Sequence, residues 1–251
     1  MQISLWGLCF SLVAARTLFA EPNLTAVQIA ERARDQDQES FKKYGPVQCR
    51  LVETKEELNE QGIVEKREQK ILKVAAADLP VPGGRETARI SPDLHKEKPD
   101  DDTSVLDRLH LFEWSLEAED ESQGEICYRL AFQPKKGARP TTVREHVISQ
   151  TRGRCWVAKR DFSKIRLDGR LTRAVELAGF LVTVQEMDFL STSKRISHQI
   201  AAPMQVRYRF RVEVFPFFEF HERHTQHFEF ATDPPVPKKR LGQKGGVAGL
   251  N

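Results

Sequence analysis

Four cysteines in 251 residues, at spacings that match no zinc motif, exclude both a disulfide-dense scaffold and a metal ribbon. The chain also lacks the catalytic signatures that are legible in a sequence. It has no Gly-x-Ser-x-Gly elbow, no His-Glu-x-x-His pair, no phosphate-cradling glycine loop and no dinucleotide fingerprint. None of these motifs therefore argues for an enzyme. No apolar run approaches the ~20 residues of a membrane-spanning helix. Charge of one sign is missing too: 39 Lys and Arg stand against 36 Asp and Glu. Nothing in the overall balance points to a polyanionic partner.

What the chain has instead is alternation. From Met204 to Val214 every second residue is apolar (Met204, Val206, Tyr208, Phe210, Val212, Val214), and the residues between are Gln, Arg, Arg, Arg and Glu. That is the period of a strand with one dry and one wet face. The same pattern places Phe112, Trp114 and Leu116 on one face of a strand and Ile126, Tyr128, Leu130 and Phe132 on another. Further along, Ile165, Leu167, Leu171 and Val175 alternate with Lys164, Arg166, Asp168, Arg170 and Thr172 in what reads as a third long strand. Moderately alternating strands are expected at Val47–Leu58 and Ile63–Val74, joined at Asn59–Gly62. Phe217–Phe230 gives a last, Phe-rich strand after Pro216 breaks the pattern.

Helices are few. Asn23 or Thr25 can cap one running to about Phe41, with Gln28 placed to complete a capping box. Thr141 or Thr142 can cap a second, short one that carries Val143 and Val147, with Gly153 past its end. Val105 and Leu106 suggest one more helical turn.

The ends read differently from the middle. Ile3 to Ala15 is an apolar run too short to cross a bilayer, followed by Leu18-Phe-Ala20 and Glu21-Pro22. This is the order of a secretory signal cleaved near Ala20, and it implies a periplasmic or secreted mature protein; a buried helix is the alternative. Residues 76–104 are rich in Pro, Gly and charge and read as a mobile loop, with residues 21–231 forming one domain around it. The basic, Gly-rich stretch 232–251 reads as a disordered tail. Three cysteines lie beyond the signal, and Cys127 with Cys155 is the first pairing to consider outside the cytoplasm.

Charge is segregated along the chain. Residues 100–125 hold ten acidic residues against Arg108, and residues 129–173 hold thirteen Lys or Arg against Glu145, Asp161 and Asp168. Two readings stay open: a basic face for an acidic partner or anionic lipid, or two blocks that neutralise each other in the fold. A partner face would be carried by Arg166, Arg170, Arg207, Arg209 and Arg211. Nucleic acid is not expected there, because the aromatic residues of that segment face away from the Arg residues, whereas base stacking needs both on one surface.

His221, His224 and His227 invite a metal reading, but on a strand His221 and His227 share a face while His224 points the other way. Only a helix would bring them within reach of zinc. Asp100–Asp102 is more simply a solvated loop than a calcium site, and Cys155 beside Trp156 a small buried residue rather than a nucleophile. No cofactor is expected.

About ten strands with two thin helices make a mainly β (β-rich α+β) fold. The expected form is a curled antiparallel meander making a half-open or closed barrel, with an N-terminal helix and one short inserted helix. Its inner wall would be Phe112, Trp114, Tyr128, Leu130, Phe132, Ile165, Leu167, Leu171, Val206, Tyr208, Phe210 and Val212. Gly153-Arg-Cys-Trp-Val-Ala-Lys-Arg-Asp161 resembles the strand–turn–strand motif of the outer-membrane lipoprotein-sorting (LolA-like) superfamily, with Ala158 where that motif usually has Asp. Tyr128–Pro134 is similar to the strand that commonly precedes it. The resemblance, spanning roughly residues 24–231, implies a half-open barrel lidded by helices, with a hydrophobic interior sheltering lipid or lipoprotein acyl chains. It implies a non-catalytic carrier of outer-membrane biogenesis or an envelope sensor with a protein partner.

Overall fold

A computed structural model describes residues 24–44, 47–75, 104–177, 181–197, 200–216 and 218–230. The expected signal segment, nearly all of the 76–104 loop and the C-terminal tail lie outside them.

Helix α1 (Ala26–Tyr44) begins at a capping box: Gln28 N–H donates to Thr25 Oγ1 at 3.3 Å and Thr25 N–H to Gln28 Oε1 at 2.9 Å. It runs past Phe41 because Tyr44 is itself anchored, its ring meeting Phe230 edge-on at 5.8 Å. Ile29, Ala30 and Ala33 are its buried face. The alanines make this face thin, which lets the helix lie close against a sheet. A 3-10 segment (Val105–Leu111), started by Ser104 Oγ accepting from Leu106 N–H, buries Val105, Leu106 and Leu111 beside it. Helix α2 (Val143–Ile148) has Thr142 as its cap.

The strands are β1 (Gln48–Leu58), β2 (Val64–Ala75), β3 (Phe112–Ser122), β4 (Glu125–Pro134), β5 (Thr151–Ala158), β6 (Lys164–Leu171), β7 (Val175–Leu177), β8 (Val182–Ser197), β9 (Ile200–Val214) and β10 (Phe218–Phe230). All pairings are antiparallel, in the order β2-β1-β10-β9-β8-β6-β5-β4-β3, with short β7 beside β8. Chain neighbours are therefore sheet neighbours almost throughout, and the first strand pairs with the last. Among the described residues β2 and β3 are the two edges, so the curled sheet is open there and not a closed barrel.

Two devices bend it. Register shifts interrupt β1–β2, β3–β4, β5–β6 and β8–β9, and such bulges raise local twist. Gly153 of β5 also stands opposite Gly169 of β6, with the rings of Phe132 and Phe189 laid over the pair. Gly153 does lie past the end of α2, but it is not the helix's cap, which is Ser149; it sits inside a strand where nothing larger fits.

The bulge between Trp156 and Val157 corrects the reading of 164–175 as one regular strand. It re-aims two side chains: Ile165 leaves the expected inner wall to pack with Cys127, Trp156 and Ala158, while Lys164 turns to Asp37 of α1, Nζ to Oδ2 2.6 Å. The alternation then ends at Leu171, and Val175 belongs to separate β7.

The suggested disulfide is overturned as well. Cys155 lies opposite Leu130 on the face packed against α1, whereas Cys127 lies opposite Ala158 on the other face; both thiols are free. Burial pushes Cys127 up to about 11 and Cys155 up to about 12, which leaves both thiols inert.

The acidic and basic blocks meet across β3, β4 and β5. Glu117 accepts from Arg129 at 3.1 Å and from Arg154 at 2.8 Å, Asp120 from Arg129 at 2.8 Å, and Glu119 from Lys159 at 2.6 Å. Each partly exposed pair contributes little stability, but together they leave no broad face of one sign on these strands.

Candidate functional site on the inner face

One face of the sheet carries the apolar residues of the alternating strands, and it divides into two parts. On β3–β6, Phe112, Leu130, Phe132 and Leu167 are buried, with Trp114 and Tyr128 partly so, under α1 and the 3-10 segment. This half is the protein's own core: Phe112 and Phe132 meet edge-on at 5.3 Å, and Trp114 lies 5.4 Å from Phe132. Leu171, Phe210 and Val212 gather around Val175, Val182 and Val184 in a second cluster, against which Val147 of α2 packs.

On β8 and β9 the face is less covered. Register sets Tyr208 between Phe189 and His224, Phe210 between Met187 and Glu222, and Val206 between Ser191 and Gln226. Met187, Phe189, Val206, Tyr208 and Phe210 all remain half-buried, unlike Leu130 and Phe132 of β4 and Leu167 of β6. The structure therefore brings eleven of the twelve expected wall residues to two neighbouring clusters and a half-open strip, and moves Ile165 to the opposite face.

Beyond the strip the inner face turns polar. Glu222, His224 and Gln226 of β10 occupy inward positions and are buried, between Phe220 and Phe228 of the same strand. His224 stacks on Tyr208 at 4.9 Å and on Phe210 at 5.7 Å, and its Nε2 donates to Glu222 Oε2 at 2.9 Å. Lys55 of β1 meets the other Glu222 oxygen at 2.8 Å. Burial alone would raise the Glu222 carboxyl, but His224 and Lys55 outweigh it and hold the group below its ordinary value. Sequence reading missed this margin, although its signal was present. His224 shares parity with Phe218, Phe220, Phe228 and Phe230, so it had to enter the apolar face.

A carboxyl held low stabilises the fold above its unfolded pKa and loses that contribution as pH falls through the folded value. Glu222→Gln should therefore cost about 1–3 kcal/mol at pH 7, as expected for hydrogen bonds to a buried charge. Thermal melts should show the gap to wild type narrowing below pH 4.5, the ordinary glutamate value. A gap independent of pH would contradict the arrangement.

The other histidines do not join this group. His221 faces the opposite side, its Nδ1 donating to Asn59 O at 2.9 Å, and His227 lies exposed on that same side. Among the described residues no set of three or more His, Cys, Asp or Glu is placed to hold a metal ion. No helix there is long and apolar enough to cross a membrane. The five Arg residues of the expected partner face do share the outer surface of β6 and β9, but three are engaged within the sheet. Arg209 pairs with Asp188 at 2.7 Å, Arg211 with Glu219 at 2.5 Å, and Arg166 with Asp168 at 2.8 Å while lying over the Trp156 ring. Arg170 and Arg207 are exposed.

No family model and no curated protein matches the chain. Among solved structures it is similar to a DUF1329 family protein from Desulfovibrio piger, at 13% identity over 82% of this chain and 92% of that one, TM-score 0.34. It is similar to the LolA superfamily protein NE2245 from Nitrosomonas europaea, at 9% identity over 82% and 92%, TM-score 0.32. A third, a domain from Vibrio parahaemolyticus titled for outer membrane lipoprotein sorting, has 8% identity over 85% and 95%, TM-score 0.32. Likeness at this level decides nothing about function.

Proposed function

We propose that the chain is a non-catalytic carrier that binds the acyl chains of a lipid or lipoprotein on the inner face of β8–β10, outside the cytoplasm. The observation that carries this reading is the half-buried strip of Met187, Phe189, Val206, Tyr208 and Phe210, apolar yet left partly open by the helices that seal the other half. A charged wall beside it suits an amphiphile, whose tail and head need different surroundings. The energetics are adequate. Burying ten methylenes is worth roughly 8 kcal/mol at ~0.8 kcal/mol each, which corresponds to about micromolar affinity. Such a load can be released.

The direct test is mass spectrometry of lipids that co-purify with the protein from its native envelope, paired with titration of a fluorescent polyene fatty acid. Bound lipid and saturable uptake are expected, and Met187→Glu, which sets a charge on the strip, should weaken uptake at least about tenfold, since the chain must then desolvate a carboxylate. Lipid-free protein that takes up no probe would overturn the reading.

A further inference from the structure

The polar margin has a buried group left without a partner. Gln226 is 2% exposed. Its Nε2 donates to Glu53 Oε1 at 3.3 Å, while its Oε1 is buried with no hydrogen-bond partner. A buried amide oxygen without a donor is destabilising, so the position favours whatever brings one.

Charge narrows the donor's identity. Glu53 and Glu222 face inward beside Gln226 and His224, and the nearby cation Lys55 is committed to Glu222. Lys70 stands opposite Glu53 in the register but lies exposed on edge strand β2. The ground around Gln226 is thus electronegative and repels an anionic head. Tyr208 is the diagonal neighbour of Gln226 on the same face, and an aromatic ring next to such a site favours a cation further.

We propose that Gln226, Glu53 and the adjoining Tyr208 form a headgroup subsite for a primary ammonium. The ammonium donates to Gln226 Oε1 and the Glu53 carboxylate, and its chain lies along Phe210 and Met187. This rests on the carrier reading for the chain but not for the head, so the two fail separately.

Calorimetric titration of the full chain at pH 7 with dodecylammonium, dodecanoate and ethylammonium tests it. Dodecylammonium should bind about tenfold tighter than dodecanoate, the scale of one or two charge-assisted hydrogen bonds. Gln226→Leu should bring the two within about threefold. Glu53→Gln, a near-isosteric change, should narrow the preference in the same way and serves if Gln226→Leu does not fold. Equal binding of both amphiphiles, unmoved by either variant, overturns the subsite and leaves the carrier reading intact. Ethylammonium binding that needs Gln226 but gains nothing from a chain upholds the subsite, assigns it to a free amine and overturns the carrier reading. Binding of none of the three overturns both.

Discussion

Replacing Gly153 with alanine should destabilise the fold by about 3 kcal/mol or more. A Cβ there would sit 1.9 Å from the backbone oxygen of Asp168, 2.6 Å from Gly169 Cα and 2.7 Å from the tip of Phe132. Two of those three obstacles are main chain, so relief requires β5 and β6 to separate at the centre of the sheet. Overpacking a core with one carbon ordinarily costs about 1–3 kcal/mol, and a clash with backbone belongs at or above the top of that range. Against a net stability of about 5–15 kcal/mol, that is a large fraction. Gly169→Ala should cost less, because a Cβ there meets the Phe189 ring tip at 2.5 Å and a ring can swing aside. Gly137→Ala meets nothing within 4 Å and costs only the strain of its positive φ, +75°, about 1–2 kcal/mol. Urea denaturation of the three variants should give that ranking. Gly153→Ala unfolding within a few tenths of a molar of wild type would refute the close approach of the two strands.

The same glycine marks where sequence reading stopped. Alternation located most of the long strands, though not β8, the longest at 16 residues, and capping residues located both α-helices, because these signals depend only on a residue's near neighbours. A glycine pair is different. Gly153 and Gly169 are sixteen positions apart and their role exists only once β5 and β6 are in register. The bulge beside Trp156 is equally silent in the pattern: Ile165 and Lys164 alternate correctly with Leu167 and Arg166, yet one extra residue exchanges their faces. The consequence was a wall residue that belongs to the other side and a lysine that points inward. The inner face itself was legible as an apolar surface. Its division into a filled half and a half-open strip was not, because that depends on where α1 lies, across β3, β5, β6 and β9, and nothing in the helix sequence specifies its docking position. The polar margin could have been read from the parity of Glu222, His224 and Gln226 with the flanking phenylalanines.

Removing the Lys164 ammonium should loosen α1 more than any other part of the molecule. Its side chain is 13% exposed and bonds Asp37, whose side chain keeps 35% of its surface in water. Burial opposes the charge on Lys164, but the facing carboxylate outweighs it and holds the amine above the ordinary lysine range. A raised lysine contributes stability that is complete below its unfolded pKa, so the pair is fully effective at neutral pH and is lost only in strong alkali. Asp107 of the 3-10 segment adds to the effect: burial raises its carboxyl, and the charge of Lys164 works against that rise. Lys164→Met therefore strands two acidic groups at the place where helix, 3-10 segment and sheet converge. Breaking a buried pair from one side costs about 3–5 kcal/mol, and the water around Asp37 moves the expectation to about 2–3 kcal/mol. Adding Asp37→Leu should recover much of this, since two apolar side chains of similar size can replace a buried pair at little cost. Hydrogen exchange distinguishes this from general destabilisation: in Lys164→Met the amides of α1 should exchange earlier than those of β8 and β9. If helix and sheet lose protection together, or the double variant is no more stable than the single, Lys164 is not what fastens the helix over the inner face.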